Sequence, residues 1–245
     1  MRQIQFAQLL KVSKSIMQSI LAASGILIDK ITPLRLIVIV SIFANITLTY
    51  FYYNYITFNF AISFFIFMFL MRYVILFASF GNKGFATNLI ARLGEERAYA
   101  YYEAVTGFMF FYRSTSFNFL VLQTAFSLEL FSLYHSTFIV IAWIMIIVAT
   151  IVNVWGTMII GVDVYYYKDM FVRRPIGKFV VKGPFKYFSN PMYGIGQLNS
   201  YGLALLSGSI FGILAAALNQ ITMYIFYYLC EKPHIERVFG KNKLK

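Results

Sequence analysis

Apolar residues run along this chain in blocks about as long as a bilayer is thick, with short polar breaks between them. A helix of roughly 20 apolar residues crosses the hydrocarbon because it satisfies all its backbone polar groups internally. On that measure Leu34–Ile56 and Thr57–Phe80 read as two spans, with Asn54 and Asn59 marking the turn. Ser116–Leu133 and Thr137–Ile160 read as two more, joined by Tyr134-His135-Ser136. Gly194–Cys230 is too long for one crossing and splits at Ser207-Gly208-Ser209 into a hairpin whose first helix is short and glycine-rich. Ahead of them, Phe6, Leu9, Leu10, Val12, Ile16 and Ile20 alternate with polar positions at helical spacing, the pattern of a helix lying on a membrane surface.

The expected architecture is therefore all-α: a polytopic membrane bundle of about six spanning or partly spanning helices. An amphipathic segment (1–33) precedes a transmembrane hairpin (34–80). A core (81–245) follows, containing the polar loop 162–192 and the helical hairpin 193–230.

Composition agrees with this pattern. Apolar residues make up 60% of the 245 and charged ones 12%, against about 45–50% and 25% in soluble domains. The net charge of +12 raises nucleic acid as a partner, but that needs a soluble basic face, and the cations here sit in loops beside spans. If the spans alternate, the connections near 56, 134 and 208 face one side, and the lysines and arginines face the other together with both termini. The excess of positive charge makes that second side cytoplasmic. Arg72, toward the far end of the second span, is expected to snorkel. The single cysteine, Cys230, excludes an internal disulfide and a thiolate zinc cluster, and no metal is expected. Arg2, Lys11 and Lys14 interrupt any cleavable leader pattern.

Three stretches carry candidate chemistry, each with two readings. In Asn190-Pro191-Met192-Tyr193, followed by Gly194, Gly196, Asn199 and Gly202, Ser189 or Asn190 can cap a helix with Pro191 in its first turn. The glycines then admit either a ligand or a neighbouring helix. In Glu231-Lys232-Pro233, a carboxylate at a span end is either a ligand contact or part of a helix stop in which Lys232 snorkels and Pro233 breaks the helix. Asp163 with Tyr165-Tyr166-Tyr167 reads as an interfacial aromatic belt or as ring faces for a sulfonium or ammonium, worth about 0.5–2 kcal/mol. Glu129, placed late in the third span, is a functional candidate by position alone.

Taken in order, Asn190-Pro191-Met192-Tyr193, Asn199, Gly202, Gly212 and Glu231-Lys232-Pro233 resemble the C-terminal half of the phospholipid N-methyltransferases, and Asn88-Leu89-Ile90-Ala91-Arg92 resembles the opening of that family's shared region. The resemblance covers roughly 85–240. It implies methyl transfer from S-adenosylmethionine to the amine of phosphatidylethanolamine or its partly methylated derivatives. It also implies a cofactor pocket from Gly194, Gly196, Asn199, Gly202, Glu231 and Lys232, and a lipid site at Asn190 and Lys186, with Lys182 beside it. Tyr193, Glu231 and Asp163 are the catalytic candidates, with His234 and Glu236 as further proton acceptors. Three departures stand out: Lys232 replaces the second of the family's paired glutamates, Ile195 replaces a glycine, and residues 137–152 lack a Gly-x-Gly. Isoprenylcysteine carboxyl methyltransferases share the hairpin logic but carry Arg-His-Pro where Ser189-Asn190-Pro191 stands. A transporter would be expected to show paired broken helices, which this chain lacks. Without a Rossmann glycine loop, the cofactor would have to sit among the membrane helices. Lys241 and Lys243 resemble a dilysine endoplasmic reticulum signal; in a prokaryote the inner membrane would take its place.

Overall fold

The computed structural model describes residues 2–27, 32–80, 84–177 and 179–240, apart from the side chains of residues 2–10 and of Tyr53. The tail lysines therefore lie outside the described residues. The elements are helical, with no strand among the described residues. In chain order α1 is Arg2–Ala23, α2 Pro33–Tyr52, α3 Phe58–Phe80, α4 Phe85–Leu93, α5 Glu95–Gln123 and α6 Glu129–Leu133. They are followed by α7 His135–Ile160, α8 Val162–Tyr165, α9 Lys168–Val172, α10 Leu198–Leu206, α11 Ile210–Phe226 and α12 Lys232–Phe239.

Four helices among the described residues are long and apolar enough to cross a membrane: α2, α3, α7 and the continuous run Ile210–Phe239. Their outward faces are large apolar side chains such as Ile37, Phe67, Ile144 and Leu214, all more than half exposed, which suits lipid rather than water. The sequence marks their starts. The Thr32 hydroxyl accepts from Arg35 N at 3.3 Å, one residue before Pro33 opens α2. The Thr57 hydroxyl accepts from Phe60 N at 3.3 Å ahead of α3.

The expected third span is corrected. The helix is α5, 29 residues from Glu95, and it ends at Gln123. Residues 129–133 form the separate α6, where Glu129 is exposed. Two of the charges in the polar stretch 81–114 point into the bundle: Glu103 forms a buried ion pair with Arg35, with side chains 5% and 8% exposed, and Arg113 lines the cavity described below. Removing one member of such a pair costs about 3–5 kcal/mol, because the other charge is left buried.

The expected break at Ser207-Gly208-Ser209 is present. Gly208 adopts φ +60 against the Phe131 ring, and the Ser209 hydroxyl caps α11 by accepting from Gly212 N at 2.9 Å. Pro233, expected to stop the last helix, does not. Residues 227–231 form a π-turn and the helix runs on as α12. Proline clashes with the carbonyl four residues back, and a wider turn relieves this. Between α7 and α10, Ala142, Ala149 and Gly156 repeat every seven residues on one buried face. A Cβ on Gly202 would come within 2.8 Å of the Ala142 carbonyl oxygen. Small residues let these backbones meet, which is how helices associate where lipid removes the hydrophobic driving force.

Candidate functional site

The Asn190–Gln197 segment is a corner built of turns and a short 3-10 turn, and the α-helix begins only at Leu198. Asn190 Oδ1 accepts from Tyr193 N at 3.4 Å, closing a turn rather than capping the helix expected to open at Pro191. Three further side chains hold the corner. Asn153 on α7 donates to Gly196 O at 3.0 Å, Gln220 on α11 donates to Tyr193 O at 3.1 Å, and Asn219 donates to Gln197 Oε1 at 2.8 Å. Tyr73 on α3 closes the set by donating to Asn219 Oδ1 at 3.0 Å.

This scaffold turns Tyr193 inward, where it donates to Glu231 Oε2 at 2.8 Å. Its oxygen lies 3.0 Å from the Tyr167 hydroxyl. Because the Tyr193 proton is already given to the carboxylate, Tyr167 is the donor in that second bond. The chain Tyr167–Tyr193–Glu231 thus joins the turn between α8 and α9, the corner before α10 and the π-turn after α11. Tyr167 reaches it from a left-handed backbone, φ 59, which costs a non-glycine residue about 1–3 kcal/mol and is found where function holds it. Burial first, then the neighbouring Glu231, pushes the Tyr193 phenol well above the usual tyrosine range. The same two causes push the Tyr167 phenol up, with Arg72 opposing them. Both phenols stay protonated at neutral pH, so the carboxyl is the member of the chain able to accept a proton. An aromatic wall surrounds them: Phe80 and Phe226 lie 5.8 and 5.5 Å from the Tyr167 ring, and Tyr227 lies 6.3 Å from that of Tyr193.

The three groups lie on a cavity of about 560 Å³, within the range of small-molecule sites. Of the residues singled out in the sequence, Tyr193, Gly196, Asn199, Glu231, Asn190 and Lys186 line it. Gly194 faces a separate shallow groove. Gly202 and Lys232 are not among the lining residues: Gly202 is pressed against α7, and the Lys232 ammonium lies 5.5 Å from the Tyr228 ring centre. Asp163, half exposed, is tied to Lys168 at 2.9 Å, also away from the cavity. His234 is buried between Arg237 and Asp169, and neither it nor Glu236 lines the cavity.

The tyrosine row is not an interfacial belt. Tyr166 is fully buried and donates to Ala22 O at 2.7 Å, and Tyr167 is 6% exposed. Arg72 does not snorkel; at 8% exposed it lines the cavity from α3. Arg72, Arg113, Tyr167 and Asp169 all line the cavity; the sequence offers Tyr167 only as one of a row of rings and Arg72 only as a snorkelling charge, and gives Arg113 and Asp169 no role. In Arg72 and Arg113 the available signal is charge at a helical position facing inward. In Tyr167 it is a tyrosine directly preceding a charged pair.

The residues fit a cationic methyl donor by their chemistry. Glu231 and Asp169 supply negative charge, the ring faces attract a sulfonium, and Asn199 adds a polar side chain to the lining. Among the described residues no cluster of metal ligands forms.

Comparison with known proteins places the second half of this scaffold. Residues 137–242 match the phospholipid methyltransferase family. The phosphatidylethanolamine N-methyltransferase of Lachancea thermotolerans is 30% identical over 111 residues, 45% of this chain and 13% of that one. Those of Kluyveromyces lactis and Schizosaccharomyces japonicus are 35% identical over 78 residues and 31% over 97, covering 32% and 38% of this chain and 9% and 11% of theirs. The chain therefore spans only a small part of the length of these relatives. No solved structure matches it. The matched residues hold the Asn190–Gln197 corner and Glu231; Asn88–Arg92 lies outside them.

Proposed function

We propose, on the premise that residues 137–242 match the phospholipid methyltransferase family, that the chain transfers a methyl group from S-adenosylmethionine to the amine of phosphatidylethanolamine or its mono- and dimethyl derivatives. The observation that carries this reading is the 2.8 Å bond from Tyr193 to Glu231 at the wall of the cavity.

The lipid ammonium must lose a proton before its nitrogen lone pair can attack. The nitrogen then bonds to the methyl carbon as the carbon–sulfur bond breaks, and the sulfonium leaves as a neutral thioether. Glu231 is the proton acceptor in this reading. Tyr167 takes the amine proton as its own passes to Tyr193 and that of Tyr193 passes to Glu231, so no phenolate accumulates. The aromatic wall favours cations over water, and holding the reactants aligned supplies much of the rate. Asn199, beside the Gly196 turn, contacts the donor, and Asn190 and Lys186 contribute lining for the lipid. The charged side is cytoplasmic by its positive excess, where the donor is soluble. We assign the reaction to the endoplasmic reticulum membrane on the strength of the eukaryotic relatives.

Expression in membranes that lack methylated phospholipids, with methyl-labelled donor, is expected to put label into the lipid extract. Label in protein carboxyl esters instead, or in neither fraction, overturns the reading.

A further inference from the structure

Two arginines face the same cavity from different helices, and neither is neutralised. The Arg72 guanidinium lies 5.1 Å from the Phe110 ring centre and 3.5 Å from Met223 Sδ, and its Nε has no hydrogen-bond partner. Arg113, on α5, lines the cavity too, and its Nε is buried without a partner. Neither forms a salt bridge among the described residues. The same bundle pairs its other embedded arginine, Arg35, with Glu103. An unpaired arginine within a membrane bundle is costly and is kept where function needs it. Two of them near enough for their charges to interact oppose each other as well. Such an arrangement persists where an anion completes it, and guanidinium forks match phosphate oxygens.

We propose that Arg72 and Arg113 hold the phosphodiester of the lipid substrate, so that its amine, two carbons away, points toward Tyr167, Tyr193 and Glu231. This rests on the methyl-transfer reading and names the part of the substrate that the cavity grips. Depth favours a lipid phosphate over the carboxylate of a soluble donor. Arg72 touches α11 at Met223, about 12 Å of helical rise before Glu231, so the cationic end of the cavity is the deeper one. A lipid in the leaflet nearest Glu231 carries its groups in that order: acyl chains toward the bilayer centre, then phosphate, then amine. Tyr167 lines the same cavity as Arg72 and Glu231 and joins Glu231 through Tyr193.

The test uses the full chain in lipid-free detergent with phosphatidic acid, which has the phosphate but no amine, and counts bound lipid by native mass spectrometry. Calorimetry follows S-adenosylmethionine separately. Arg72→Gln and Arg113→Gln are each expected to weaken phosphatidic acid at least tenfold, to leave donor affinity within twofold, and to raise the KM for phosphatidylethanolamine by a similar factor. Arg113→Lys is expected to recover part of the loss. Should Arg72→Gln fail to fold, Arg113→Gln decides alone, since its partly buried side chain forms no hydrogen bond or ion pair among the described residues for folding to lose. Unchanged phosphatidic acid binding overturns the phosphate site, as does a loss confined to the donor, which would assign the pair to a carboxylate. Arginine-dependent phosphatidic acid binding without any methyl transfer overturns the enzyme reading and leaves the phosphate site standing.

Discussion

Tyr193 and Glu231 are 38 positions apart and meet in one hydrogen bond. Glu231→Gln keeps the shape of the carboxyl and removes its ability to take a proton. Methyl transfer is expected to fall about 10²–10⁴-fold, the usual worth of a positioned base, with membrane insertion unchanged. Tyr193→Phe is expected to cost less, about tenfold, because the acid group survives and only the relay is cut. Labelled-lipid assays on the two variants check the order; equal losses would remove Glu231 from its role as acceptor. These two residues were legible because each sits in a short motif. Tyr167 was not, since a left-handed turn decides where its ring points and spacing alone treats it as one of a row. Arg72 was misread because a hydropathy pattern locates a charge along a span without saying which face it occupies.

At the scale of elements, breaks were easier to read than bodies. Ser207-Gly208-Ser209 ends α10 and opens α11 as expected, because glycine takes a positive φ at no steric cost. The start of α5 was missed: Glu103 and Arg113 make the segment look like a loop, although their charges are handled inside the bundle and the cavity. Helix packing also explains the corner better than glycine content does. Gly202 meets the backbone of α7, so Gly202→Ile is expected to force α10 and α7 apart, at about 1–3 kcal/mol for overpacking. The thermal midpoint in detergent should fall, and donor affinity should fall with it, since the same contact sets the corner that carries Tyr193. Loss of stability with donor binding intact would separate the α7 seam from the site.

The cavity belongs to the molecule as a whole. Residues matched to the family supply the corner, the π-turn and most of the lining, while Ala23, Arg72, Phe110, Arg113 and Ser114 come from outside that segment. Residues 134–245 expressed alone are therefore expected to insert and yet bind neither phosphatidic acid nor donor. Co-expression with residues 1–133 is expected to restore both, as measured on the co-purified pair; binding by the C-terminal half alone would show that the N-terminal helices do not complete the site.

By itself the sequence determined the all-helical membrane architecture, the hairpin break and the segment that carries the Asn-Pro-Met-Tyr corner, because hydrophobic run length, turn chemistry and short motifs are local. Tertiary structure decided which charges are paired, which tyrosines face inward and which glycines touch helix rather than ligand. Those outcomes depend on the rotation of each helix about its axis and on the neighbour it meets, and a neighbour 38 or 151 positions away leaves no trace in local spacing.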